Sequence, residues 1–146
     1  MTSFGSYPVE AAVPFIKKWE GYRDAAYRCP AGVWTLGYGH TDGVEEGERC
    51  TSEQAEMWLR EDLESTRTRL APYVNAPLTE RQFVALLSLA FNLGVQGVLK
   101  KCPRLMRALN LRDYEAAADE LLDVTSGGLP GLVRRRREEA ALMREG

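Results

Sequence analysis

No stretch of the chain holds the roughly 20 consecutive apolar residues that a membrane-crossing helix needs. The first 20 residues are interrupted by Pro8, Glu10, Pro14, Lys17 and Lys18. They lack the basic segment and apolar run of a secretory signal. The expectation is a soluble protein, with no stable membrane insertion, that does not export itself. Histidine is nearly absent, with His40 alone, so a His-rich metal site is excluded. Cysteine is scarce and odd in number (Cys29, Cys50, Cys102), with no CxxC pair. That spacing argues against a disulfide framework and against zinc, and favours free thiols; one Cys29–Cys50 bridge stays open. No metal and no cofactor is expected.

What is present is an ordinary globular composition. The 146 residues are 45% hydrophobic and 27% charged, with a net charge of -2. That suits one domain with a real core, 1–146, and excludes a disordered chain. Acidic residues crowd Asp42 to Glu64, and Arg134 to Arg137 form a basic run. Such a run is usually a solvated helix face. It lacks the aromatic interleaving of a nucleic-acid surface, so no nucleic-acid partner is expected.

Periodicity divides the chain. Val9, Ala12, Val13 and Ile16 have helical spacing, so Pro8 to Trp19 reads as a short helix, with Ser6 as a cap and Gly21 at its end. Pro14 requires that this helix be irregular or begin late. From Tyr22 to Thr41, strand-forming Tyr27, Val33, Trp34, Leu36 and Tyr38 alternate with Pro and Gly. A small antiparallel sheet with a Pro30-Ala31-Gly32 turn is expected. Thr51 with Gln54, and Thr79 with Gln82, are capping-box pairs that open helices. The first runs to about Leu70. The second buries the stripe Phe83, Leu87 and Phe91 and ends near Gly94. Helices are also expected over Leu99 to Leu109 and Asp113 to Leu122, and a last one starts at Pro130. The fold class is therefore α+β, mostly α. A sheet-containing lobe covers about 20–50 and a helical lobe about 51–146, with a groove between them for a ligand.

Glu20 follows Trp19 at a predicted helix end. By itself it reads as a solvated surface Glu, although partial desolvation beside Trp would raise its carboxyl pKa, which suits a general acid. Its spacing says more. Eight residues separate Glu20 from Cys29, and five separate Cys29 from Thr35. Thr35 lies inside Trp34-Thr35-Leu36-Gly37-Tyr38-Gly39-His40. Two further blocks follow: Leu89-Ala90-Phe91-Asn92-Leu93-Gly94, and Leu129-Pro130-Gly131-Leu132-Val133-Arg134-Arg135-Arg136. On these blocks, from about Pro14 to Met143, the sequence resembles the phage-type lysozymes, the endolysin muramidases of tailed bacteriophages.

The resemblance implies a lysozyme-like fold. It also implies hydrolysis of the β-1,4 bond between N-acetylmuramic acid and N-acetylglucosamine in peptidoglycan, for host lysis. Glycoside hydrolysis needs a proton for the leaving oxygen and water or a nucleophile on the opposite face of the sugar. Members of the family are usually inverting, so Glu20 would give the proton and Cys29 and Thr35 would hold and activate water. Many relatives carry Asp at the position of Cys29. A thiol of ordinary pKa about 8.5 is the weaker base unless its pKa is lowered. A buried structural Cys and a covalent nucleophile stay open there.

The same resemblance places Asn92 at the cleft edge, where it could bond an acetamido group or instead cap its helix. It gives Glu20 an Arg partner, Arg134 or Arg135. It makes His40 and Asp62 a structural pair. A monomer is expected, held in the host cytoplasm and admitted to the periplasmic peptidoglycan by a membrane-permeabilising, holin-type partner. The alternative is a catalytically inactive relative that binds peptidoglycan.

Overall fold

A computed structural model describes residues 1–146. The chain opens with two single-turn 3-10 helices, Phe4–Ser6 and Val9–Ala12, then α1, Val13–Glu20. The expected helix thus begins late. Pro14 sits in the first turn of α1, where its missing N–H costs no hydrogen bond. Ser6 caps nothing; its hydroxyl meets that of Ser3 at 2.5 Å. Gly21 ends α1 as expected, its N–H donating to Lys17 O at 3.0 Å.

Strands β1, Arg23–Arg28, and β2, Trp34–Gly37, form the antiparallel pair, with Tyr27 opposite Thr35 and a register irregularity between Arg23 and Tyr27. The chain then returns beside β1, where Ala25 bridges Arg49. Six helices follow: α2 Ser52–Leu70, α3 Glu80–Leu93, α4 Val95–Lys101, α5 Pro103–Asn110, α6 Tyr114–Leu121 and α7 Pro130–Glu145. Both capping boxes close in full, at Thr51/Gln54 and Thr79/Gln82. Each satisfies two backbone donors that a bare helix start leaves open. The helix expected over Leu99 to Leu109 is broken in two, because Pro103 cannot continue α4 and instead starts α5. The α+β, mostly α class read from the sequence is the class observed.

The core sits around α3. Its residues Gln82 through Ala90 are all buried. It packs against α2 on one side and α7 on the other, while α6 backs α7. Phe83 and Leu87 are in the core, but Phe91 is only half-buried and lines the cleft described below. The stripe therefore leaves the core one turn earlier than its periodicity suggested.

The Arg run needs a larger correction. Arg134 and Arg137 are exposed, but Arg135 is 4% exposed and Arg136 is fully buried. One side of α7 must face α3, and consecutive residues on a helix lie about 100° apart. Two neighbouring positions therefore turn inward and two outward. Arg136 donates to Val124 O (2.8 Å), to Glu139 Oε1 (2.6 Å) and to Asn92 Oδ1. Removing one partner from a buried ion pair costs about 3–5 kcal/mol, because the remaining charge is left without compensation. Arg136→Met is therefore expected to lower unfolding free energy by about 3–5 kcal/mol in urea denaturation. A loss below about 1 kcal/mol, the net worth of one ordinary hydrogen bond, would show that its acceptors are satisfied without it.

Candidate active site

Glu20 is the last residue of α1, and Gly21 turns the chain into β1. This places its carboxyl where the helical body meets the sheet. Its side chain is 18% exposed, and Oε2 accepts from Arg135 Nη1 at 2.7 Å. Of the two expected partners, Arg135 is the one used. The Trp19 indole N–H beside it is buried without an acceptor.

The other carboxylate oxygen, Oε1, lies against Gly39. A Cβ at that position would come within 2.8 Å of it. Gly39 also has φ +78°, a left-handed conformation that a side chain disfavours. Both backbone shape and close approach thus require glycine there, to keep Glu20 Oε1 in place.

A cleft of about 610 Å³ brings Glu20, Tyr27, Cys29, Thr35, Phe91 and Asn92 together with Gly39. Four segments contribute: the end of α1, the hairpin, the loop after β2, and the end of α3. On the far side of Glu20 a second hollow of about 410 Å³ runs between Trp19 and the start of α7, lined also by Leu129, Leu132 and Arg134. Glu20 and Asn92 border both. The carboxyl is thus accessible from two hollows. A further hollow of about 530 Å³, between α5 and the segment after α6, is lined by Cys102 and Leu93 but by none of the candidate catalytic residues.

Thr35 is 4% exposed, and its hydroxyl donates to Val33 O at 3.0 Å. Cys29 opens the Pro30-Ala31-Gly32 turn, its own N–H bonding Val33 O at 3.0 Å. The turn points backbone donors at the sulfur. The N–H of Val33, with smaller help from Ala31 N–H and the Thr35 hydroxyl, lowers the Cys29 thiol pKa below its ordinary value, against the opposing effect of burial. Thr35 has one proton to give, so Val33 O and the Cys29 sulfur compete for it. All three cysteines are free, so the bridge left open between Cys29 and Cys50 is not formed.

His40 does not line the cleft. Its Nδ1 lies 2.8 Å from Asp62 Oδ2 on α2, and its ring stacks on Trp58 at 4.6 Å. Burial pushes the Asp62 carboxyl up, and the His40 hydrogen bond pulls it back. The loop that carries Gly39 is closed by two backbone bonds of 2.9 Å between Leu36 and His40. This pair therefore pins that loop to the helical body.

Asn92 is exposed at the cleft edge, and its Oδ1 accepts from Arg136, which leaves its amide N–H groups without a protein partner. Gly94, not Asn92, supplies the helix end. Sequence reasoning missed Ser88, Arg136 and Glu139, which stand behind Arg135. The signal was the spacing of Glu139, three residues after Arg136 and four after Arg135, where helix geometry brings side chains together.

Thiols alkylate as thiolates, so a lowered pKa moves reactivity to lower pH. Burial raises the thiol pKa of both Cys50 and Cys102. Iodoacetamide labelling read by peptide mass should therefore show Cys29 reacting first, with its rate inflecting at lower pH than that of Cys50. A shared inflection would remove the role given to the turn N–H groups.

Residues 17–139 match the Phage lysozyme family. The chain is similar to an endolysin of Acyrthosiphon pisum secondary endosymbiont phage 1, 40% identical over 140 residues, which are 91% of this chain and 94% of that relative. It is similar to an endolysin of Salmonella phage P22, 38% identical over 136 residues, 88% of this chain and 92% of that one. Among solved structures it is similar to the muramidase domain of SpmX from Asticaccaulis excentricus. The TM-score is 0.83 and the identity 35%, over 94% of this chain and 97% of that one. A match that spans most of the chain in both sequence and fold makes this protein a member of the phage lysozyme family, a muramidase-type hydrolase of phage peptidoglycan lysis.

Proposed function

We propose that the enzyme cleaves the β-1,4 bond between N-acetylmuramic acid and N-acetylglucosamine by direct attack of water. The observation that carries this reading is that Glu20 from the end of α1 and Cys29 and Thr35 from the hairpin line one cleft. Glu20 gives its proton to the glycosidic oxygen as the bond to the anomeric carbon breaks. Water attacks that carbon from the other face, held against Thr35 and Cys29, and its proton passes to the thiolate. The downward shift of the thiol pKa favours Cys29 in this role, because it enlarges the share of thiolate, which can accept a proton where a neutral thiol cannot. Arg135 orients the Glu20 carboxyl. Asn92 offers its amide N–H to an acetamido carbonyl of the substrate.

A positioned proton donor contributes about 10²–10⁴-fold. Glu20→Gln is expected to fold and to lose turbidity clearing of exposed cell walls by at least about 100-fold. Equal slow clearing by both proteins would mean binding without catalysis. Following the first-released anomer for wild type, Cys29→Ser and Cys29→Asp tests the water attack. An initial α product from the β-linked substrate is expected, and an initial β product rejects the scheme.

In the same reading the enzyme is a monomer and waits in the host cytoplasm. It reaches periplasmic peptidoglycan when a holin-type partner opens the inner membrane. No single helix is long and apolar enough to cross a membrane. Induced alone, it is expected to leave culture turbidity unchanged until such a channel-former is co-expressed. Prompt lysis without one would overturn this route.

A further inference from the structure

Behind the cleft lies a buried acid that the reaction above does not use. Glu139 on α7 is fully buried. Its Oε2 accepts from Ser88 Oγ at 2.5 Å and its Oε1 from Arg136 Nη1 at 2.6 Å. Its Oε2 also lies 3.4 Å from Arg135 Nε. Ser88 is fully buried on α3 and serves both sides. It donates to Glu139 and accepts from Arg135 Nε at 3.2 Å, while its carbonyl accepts from Arg135 Nη2 at 3.1 Å. Arg135 then reaches Glu20 at 2.7 Å. The result is a continuous chain of alternating charge, Glu20, Arg135, Glu139 and Arg136, in which the two outer links are direct hydrogen bonds, the Arg135–Glu139 link is an ion pair bridged by Ser88, and three of the four members are at least nine-tenths buried.

A proton donor held by an uncompensated guanidinium would be held in the wrong state. A cation in contact favours the ionised carboxylate, and low dielectric enlarges the effect. A second anion on the far side of the same guanidinium opposes it. We propose that Glu139, set by Ser88, is a positioning residue for the reaction: its buried charge offsets Arg135, so that Arg135 can orient Glu20 and still leave it able to carry a proton. Burial raises the Glu139 pKa, and Arg136, Ser88 and Arg135 work against that. Neither guanidinium can release its proton, so a negative charge on Glu139 reduces the positive charge that the pair presents to Glu20.

The other groups around Glu20 do not supply this offset. From α7, Arg134 lines the neighbouring hollow and adds positive charge. From the sheet, Tyr27 and Cys29 line the cleft. From α3 come Phe91 and neutral Asn92. On α1, Lys17 pairs with Glu56 and Lys18 with Glu138. Around the inner end, the segment after α6 presents only the Val124 carbonyl to Arg136, and burial keeps nearby Cys102 protonated.

The inference rests on the reading of Glu20 as proton donor, so its test includes a readout independent of turnover. The Glu20 carboxyl is titrated by ¹³C NMR in wild type, Glu139→Gln and Glu139→Asp, alongside pH profiles for cell-wall hydrolysis. In Glu139→Gln the Glu20 titration is expected to move down by on the order of one pH unit, the low end for an unopposed charge in contact. The alkaline limb of kcat should follow it, with KM for wall fragments unchanged. Glu139→Asp keeps the charge and should restore both. If Glu139→Gln does not fold, Ser88→Ala carries the test, with a smaller shift in the same direction. A less stable protein with an unmoved Glu20 titration overturns the proposal. A moved titration with an unmoved kcat profile leaves the offset standing and removes Glu20 as the proton donor.

Discussion

Two arginines are buried side by side on α7, and neither can lose its charge. Leaving them unpaired inside the protein would cost several kcal/mol each. The fold must therefore bring anions to them, and it brings two, Glu139 from the same helix and Glu20 from the end of α1. This constraint ties the N-terminal segment to the C-terminal helix across 115 residues of chain. It also explains the small polar Ser88 in the most buried helix of the molecule. A larger apolar residue there would leave Arg135 Nε without its acceptor. The same requirement extends to Asn92, whose side-chain carbonyl accepts from Arg136.

The sheet lobe is attached by a separate set of contacts. His40 bonds Asp62 and stacks on Trp58, both on α2, while Gly39 passes close under Glu20. The carboxyl is therefore fixed from two sides, by a guanidinium from α7 and by the hairpin backbone. Cys29 and Thr35 come from the same hairpin, so their placement relative to Glu20 depends on that attachment. A tight turn opens at Cys29, at the tip of that hairpin. Its backbone donors favour the thiolate, doing through hydrogen bonds what a carboxylate does through its own acidity.

Some of this was legible in the residues. Both capping boxes, the hairpin with its Pro-Ala-Gly turn, the late start of α1 at Pro14 and the opening of α7 at Pro130 follow from local rules. Those rules act within a few residues, and nothing distant overrode them. The break at Pro103 follows from the same chemistry, but the apolar spacing across it suggested a single helix. Arg136 and Phe91 were misread because composition reports a residue's average preference, whereas helix rotation against a neighbour decides which face is covered.

The sequence alone determined the order of elements, the family resemblance and the candidates Glu20, Cys29 and Thr35, because those rest on local propensity and on spacing along the chain. Tertiary structure decided which Arg meets Glu20, that a second acid stands behind it, and that a glycine two residues past the sheet must lie under its carboxyl. Those facts depend on segments far apart in sequence meeting in a low-dielectric interior. There a charge must find its partner wherever packing delivers one, and no local pattern encodes which that will be.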